Sequence, residues 1–452
     1  MILNIILGII GLGIVIVIHE TGHFLAAKAS GISVEAFSIG WGKALFSWQR
    51  KETEYRLGML PIGGYCRMKG GDLLQKAIEE RHATIPHEEG SFFSAAPYKR
   101  IFVSLSGPLF NLIFAFIIFS LIWGIGFSVK SFENRIVLVS DYSTDSRTHA
   151  VDRAGLKTGD RIIEIDGNPI ENYNDIKEAV APAAAKRLPI LVNRDGVFRE
   201  FQLTPEKDPE TGVGLLGIYA WIDPVVGEVI PDSPAAIAGL QTKDRIISIE
   251  GKRIDHTIDL ITELASRPEK LDITYERNGA SQTTSLLISY EDNGEPNLGI
   301  YFEPLVYTSE RVGFLTAFGK GVEETYSVLK MTVKSIGLLF SGINVSKAVS
   351  GPIRLTYYVG AIASEGFKDG LKDGFSNMFR FLSLLSVFFF FMNLLPIPAL
   401  DGGHIVLQLI EAVTRRAPKP AVIYRYQVIG FTIIIGILIF STFNDVSFFI
   451  SR

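Results

Sequence analysis

Four long apolar runs punctuate the chain. Residues 1–18 are apolar apart from Asn4, and the helical pattern continues through "HETGHFLAAKA". A second run covers about 101–128, a third is "FLSLLSVFFFFMNLLPIPAL" at 381–400, and a fourth lies near 427–446. Each supplies the roughly 20 residues needed to cross a bilayer core. The pattern predicts a polytopic α-helical membrane protein with four transmembrane helices, at 1–28, 101–129, 378–403 and 427–448. The third carries Asn393, Pro396 and Pro398 and runs straight into Asp401, so its helix is expected to break at that end. Irregular backbone at membrane depth is tolerated where it lines a protein cavity. A cleavable signal peptide needs a positive segment ahead of its apolar core, and no Lys or Arg precedes Lys28.

Between the first two spans, residues 29–100 form a β-rich, membrane-associated region. "VEAFSIGWG", "KALFSWQRK" and "TEYRLGMLPIGGYCRMKG" are strand-like runs separated by polar or glycine breaks. The segment around Gly63, Gly64 and Tyr65 is a candidate edge strand, able to pair with an extended peptide by β-addition. The plain alternative is a hairpin that only anchors span one. Residues 70–90 carry no assigned role, and His82 and His87 read as solvated.

The segment between spans two and three contains itself twice. "AGLKTGDRIIEIDGNPI" starts at Ala154 and "AGLQTKDRIISIEGKRI" at Ala238. Each copy continues into a helical stretch, then a strand leading to a hairpin signal, Asp195-Gly196 or Asn278-Gly279. Two small α+β modules are expected, 130–218 and 219–304. The period is too long, and the copies too few, for a solenoid. Residues 305–377 form a linker with amphipathic helices, able to lie on the membrane or against protein.

Charge adds an orientation. Lys28 follows span one, Lys99 and Arg100 precede span two, and Arg415, Arg416, Lys419 and Arg425 lie between spans three and four. By the positive-inside rule, residues 29–100 and a loop at 404–426 face the cytoplasm, with both termini and the repeat outside. A net charge of -4 gives no argument for nucleic acid as a partner. Cys66 is the single cysteine of the 452 residues, which excludes an intrachain disulfide and a four-cysteine zinc site.

The chemistry starts at His19-Glu20-Thr21-Gly22-His23, an H-E-x-x-H pattern. On a helix the two histidines stand one above the other and reach one metal ion, while Glu20 lies close by as a general base. The five-residue pattern alone arises by chance. Inside a span, however, ionisable residues cost about 2.5–3.5 kcal/mol each on insertion scales. A divalent cation is a partner that offsets such a cost. Catalytic zinc takes three protein ligands. Asp401 is the candidate third, with His404 as a rival and a turn or cap residue as the plain alternative. Two histidines and a carboxylate also suit non-haem iron. Ion conduction explains the buried charge but not the spaced pair.

Three motifs in order carry a resemblance. "HETGH", "SGPLFN" at 106–111 and "NLLPIPALDGG" at 393–403 resemble the membrane motifs of the site-2 protease family. With a doubled PDZ-like insert between spans two and three, the chain is most similar to the regulator of sigma-E protease type. "VSGPI" at 349–353 resembles a segment that follows the PDZ pair in that type. The resemblance implies an intramembrane zinc metalloprotease, with Zn2+ held by His19, His23 and Asp401 and with Glu20 as general base. It implies that Asn393 contacts substrate or steadies the site, that Gly107 and Asn111 pack span two against it, and that Pro396 and Pro398 shape its broken helix. Implied partners are single-span membrane proteins, such as membrane-anchored anti-sigma factors and remnant signal peptides, with peptides at the PDZ-like pair and membrane lipid. The implied location is a bacterial inner membrane, with the PDZ-like pair periplasmic. The alternatives are a non-enzymatic membrane scaffold with a peptide-binding PDZ pair, and an ion transporter.

Overall fold

The computed structural model describes residues 2–142, 147–209, 212–290, 296–339 and 350–450. It divides into two compact units. One contains Met1–Phe127 and Ser309–Gly337 together with the C-terminal helices; the other contains Ser128–Thr308.

The helical unit is built from α1 (Ile2–Ala29), α2 (Gly71–Glu79), α3 (Pro97–Ile125), α4 (Phe314–Leu339), α5 (Pro352–Lys368), α6 (Leu371–Asn393), α7 (Asp401–Thr414) and α8 (Pro420–Ile450). Among the described residues, α1, α3, α6 and α8 are long and apolar enough to cross a membrane. Glycines let these helices approach closely. A Cβ at Gly22 of α1 would overlap the Ser106 carbonyl of α3, and one at Gly8 would overlap the Thr356 carbonyl of α5.

Two boundaries differ from the sequence pattern. Against an expected third span of 378–403, α6 begins at Leu371 and stops at Asn393. Pro396 and Pro398 lack the donors a helix needs and clash with the preceding turn. The chain turns instead through Ala399 at φ 74 and restarts as α7 at Asp401. The expected loop at 404–426 is therefore largely helical, since α7 runs to Thr414 and α8 starts at Pro420.

Helix α4, which the sequence leaves between membrane surface and protein, packs on α3 and α6. Val328 joins Ala115, Phe119 and Val387 in one core cluster. Glu324 accepts from Trp123 Nε1 at 2.6 Å and from Arg380 Nη2 at 3.0 Å. Asp445 of α8, fully buried, accepts from the backbone N–H groups of Gly351, Ile353 and Arg354 and so caps α5. Val349, the first residue of the VSGPI segment, lies outside the described residues.

Strands β1 (Val34–Arg50) and β2 (Thr53–Met68) form a long bent hairpin. Gly40 and Gly42, both at φ 86, bend β1 so that Ala36–Ile39 is flanked by Glu54–Leu57 on one side and by Gly64–Arg67 on the other. Among the described residues, Gly64–Met68 pairs with β1 alone and is an edge. Trp41, Leu45, Phe46, Trp48, Met59 and Leu60 are exposed. An apolar patch of this kind marks a membrane or protein contact.

The second unit holds the two repeats as PDZ-like α+β modules. In the first, β3 (Arg161–Ile165), β4 (Asn168–Pro169), β5 (Leu188–Arg194) and β6 (Val197–Leu203) pair in the order β4-β3-β5-β6, with a helix at Tyr173–Val180. In the second, β7 (Arg245–Ile249), β8 (Lys252–Arg253), β9 (Lys270–Arg277) and β10 (Ala280–Leu287) repeat that order, with a helix at Thr257–Leu264. Both hairpin turns have positive φ at both central residues, 53° and 84° at Asp195-Gly196 and 53° and 79° at Asn278-Gly279. That is the type I′ geometry that Asp-Gly and Asn-Gly favour. The repeat extends to a buried ionic fork. Arg194 donates to both oxygens of Asp160 at 2.7 Å, and Arg277 does the same to Asp244 at 2.7 and 2.6 Å. Where the modules meet, the Arg135 guanidinium stacks 3.4 Å from the Trp221 ring centre, and Trp221 lies edge-on to His256. Tyr142 Oη lies 3.1 Å from His256 Nε2 and donates to Asp259 at 2.9 Å.

Candidate metal centre and active site

His19 and His23 lie one turn apart on α1, and Asp401 opens α7 after the break in the preceding helix. The break sets where the carboxylate stands. Gly402 and Gly403 have no room for a side chain, because Cβ atoms there would overlap the carbonyls of Leu394 and Ile397. Gly430 of α8 likewise admits the Pro398 carbonyl. Pro396 and Pro398 thus sit in the turn that carries Asp401. At the first turn of α7 the carboxylate also meets the positive end of the helix dipole.

The three side chains converge. His19 Nε2 lies 3.2 Å from Asp401 Oδ2, His23 Nε2 lies 3.3 Å from Asp401 Oδ1, and the two Nε2 atoms are 3.1 Å apart. Ligands bound at about 2.1 Å to one tetrahedral zinc stand roughly 3.4 Å from one another. The donor set therefore fits zinc in both chemistry and spacing. The ring orientations fit as well. His23 Nδ1 faces the Val103 carbonyl at 2.9 Å, so it carries the proton and leaves Nε2 free to ligate.

Asn111 treats His19 in a related way. Its Nδ2 lies 3.4 Å from His19 Nδ1, while its Oδ1 is buried without a partner among the described residues. A His19 that ligates through Nε2 carries its proton on Nδ1 and needs an acceptor there. Rotating the amide by half a turn turns the orphaned Oδ1 toward that proton, and the two amide orientations are nearly isosteric. The rotated amide then accepts from His19 Nδ1–H, and its NH2 group takes the place that Oδ1 leaves.

His19, His23 and Asp401 line one cavity of about 470 Å³. Its walls include Glu20, Asn393 at the end of α6, and Tyr65 and Cys66 of the β2 edge. Gly64 lies beside Glu20, since a Cβ there would come 3.6 Å from Glu20 Cγ and 2.7 Å from the Ser38 carbonyl. Gly63, at φ 88, faces the Trp41 indole instead. Tyr65 Oη accepts from Arg56 at 3.0 Å. His404 also lines the cavity but stands outside the three-residue cluster. Burial, helped by the nearby Glu20 carboxylate, pushes the Cys66 thiol up to about 12, so it is protonated and inert near neutrality.

Sequence reading missed the far wall of the cavity. Arg100 Nη2 donates to Glu411 at 2.5 Å, and Gln408 Nε2 donates to Ser104 at 3.1 Å. The available signal was spacing: Arg100, Ser104, Gly107 and Asn111 fall at i, i+4, i+7 and i+11, on one face of α3.

Comparison with known proteins places the chain in a family. The profile of peptidase family M50 matches residues 7–437. The regulator of sigma E protease of Haemophilus influenzae is 30% identical over 97% of both chains. The regulator of sigma-E protease RseP of Escherichia coli is 29% identical over 96% of this chain and 97% of its own. A Treponema pallidum protein, named as a candidate zinc metalloprotease, is 36% identical over 99% of both. Among solved structures, the PDZ domain of an SdrC-like protein from Listeria monocytogenes is 22% identical with a TM-score of 0.17, covering 19% of this chain and 90% of that one. That likeness carries no argument; the modules are named from their repeat and strand order. The chain, a multi-pass membrane protein, belongs to peptidase family M50, the intramembrane site-2 type of zinc metalloprotease.

Proposed function

We propose that the chain hydrolyses peptide bonds within or next to the membrane segments of single-span proteins. The observation that carries this is the convergence of His19, His23 and Asp401 in one cavity that also holds Glu20 and the free edge of β2. His19, His23 and Asp401 hold the zinc. When bound, zinc polarises the scissile carbonyl and makes an attacking water acidic near neutral pH. Glu20 takes the proton from that water and passes it to the leaving amine. Val103 and Asn111 fix the two imidazoles. A helical substrate must unwind before it is cut, and its freed backbone groups are costly in lipid. The Gly64–Met68 edge pairs with them by β-addition, and Asn393 steadies the unwound segment.

The basic residues beside the span ends support an active site toward the cytoplasm and PDZ-like modules on the other side, which in a bacterial inner membrane is the periplasm. There the modules recognise trimmed substrates or exclude intact ones. The substrates fitting this reading are membrane-anchored anti-sigma factors, and remnant signal peptides have the same single-span form.

The test is cleavage of a reconstituted single-span reporter by wild type and by Glu20→Gln, with zinc content measured in both. Gln keeps the size and leaves the ligands in place but cannot act as a base. Loss of cleavage with zinc retained supports the assignment. Equal cleavage removes Glu20 as the base. A zinc-loaded wild type that cuts no single-span reporter favours the scaffold reading.

A further inference from the structure

Two residues of the cavity wall each carry a buried polar atom that serves neither the candidate metal nor a protein partner among the described residues. Gln408 of α7 is 4% exposed and Arg100 of α3 is 6% exposed, and both line the cavity that contains His19, Glu20, His23 and Asp401. The Gln408 amide spends its N–H on Ser104, which leaves Oε1 as an acceptor without a partner among the described residues. The Arg100 guanidinium spends Nη2 on Glu411, which leaves Nε–H as a donor in the same condition. A buried polar group without a partner costs about 1–3 kcal/mol. Two such groups of opposite sense on one wall are suited to a ligand that offers both a donor and an acceptor.

An unwound peptide backbone is such a ligand. Gln408 follows Asp401 by two turns of α7, or about 10 Å along the helix axis. An extended chain covers that distance in about three residues. We infer that Gln408 Oε1 and Arg100 Nε form a second backbone-binding subsite, which accepts a substrate N–H and donates to a substrate C=O about three residues from the scissile bond. The β2 edge and the α3/α7 wall then hold the same strand at separate points. This rests on the proteolytic reading above. The subsite reads backbone rather than side chains, so it binds any segment that is locally unwound and offers nothing to an intact helix, whose donors and acceptors are already paired.

The test uses the zinc-loaded full-length chain carrying Glu20→Gln, so that bound peptide stays intact. The probe is a synthetic single-span peptide in detergent micelles, with backbone amides replaced one at a time by esters, each of which removes one N–H and leaves the side chains unchanged. One ester position is expected to weaken binding about three- to tenfold, the worth of a single hydrogen bond. Adding Gln408→Leu should abolish that difference while the other positions keep theirs. Arg100→Lys, which retains a cation for Glu411 but lacks Nε, should abolish the smaller loss at the ester whose own carbonyl, a weaker acceptor than an amide's, meets that donor. A merely structural role for Gln408 would shift every peptide equally and leave the ester profile unchanged, and that result overturns the inference. Cleavage of the all-amide peptide by wild type is measured in parallel. Its failure counts against the proteolytic reading, whereas an ester profile insensitive to Gln408 counts against the subsite alone.

Discussion

Gly107 of α3 stands directly against His23 of α1, so close that a Cβ at position 107 would overlap the imidazole Nε2. The atom that would be struck belongs to a ring held at its other nitrogen by the Val103 carbonyl, so it has little freedom to yield. Gly107→Ala should therefore displace His23 and weaken zinc binding by about 10- to 100-fold, the range seen when ligand orientation is lost. Zinc stoichiometry after dialysis against a chelator measures this. Gly124→Ala is the control, because a Cβ there meets only the Ala317 methyl at 3.7 Å. If Gly107→Ala keeps its zinc, the helix crossing does not seat the ligand.

Asn111 should act through His19. Asn111→Leu leaves the Nδ1 proton without an acceptor, and zinc affinity should drop by about tenfold or more. Asn111→Asp keeps an acceptor in the same place and should recover most of that loss. Equal affinities in all three proteins would show that the amide only fills space.

The repeated fork predicts where the modules are vulnerable. Asp160 is 1% exposed and satisfies both Arg194 and the Lys157 N–H. Removing one partner of a buried pair costs about 3 kcal/mol. Asp160→Ala should destabilise the first module by that order, read as accelerated proteolysis of 130–218 in the full chain. Combining it with Arg194→Leu should restore part of the loss, because no unpaired charge then remains.

His256 makes the contact between modules dependent on pH. Burial lowers its pKa below the usual histidine value near 6.5, against the opposing pull of Asp259 and Asp255, while Arg135 acts in the same direction as burial. With the folded value depressed, the unfolded segment binds more protons as pH falls, so stability has a positive slope with pH. The contribution is complete above about pH 6.5 and is lost as pH falls toward the lower folded value. Hydrogen-exchange protection over residues 221–260, corrected for the intrinsic pH dependence of exchange, should fall as pH drops below about 6.5. His256→Phe should flatten that dependence; an unchanged slope would assign it to another group.

Much of the site was legible because its signals are local. Helical spacing within five residues set the histidines together, and prolines beside Asn393 marked the break that aims Asp401. The hairpin turns and the repeat were legible for the same reason. What stayed hidden depends on partners far along the chain. The pairing of Arg100 with Glu411 joins residues 311 positions apart, and nothing near either one announces it. The basic cluster from Arg415 onward suggested a loop, yet the apolar face just before it packs as α7. Helix α4 has an amphipathic pattern that fits lipid as well as protein, and only packing against Trp123 and Arg380 decides between them.

The distance in sequence between His23 and Asp401 sets a schedule for the newly made protein. Helix α1 is made with His19, Glu20 and His23 already in place, but Asp401 follows only after both modules and α4 to α6 have been synthesised. Until then, on the proposed assignment, its ligand set is incomplete. On the proposed assignment it becomes competent to cut only once Asp401 has been made.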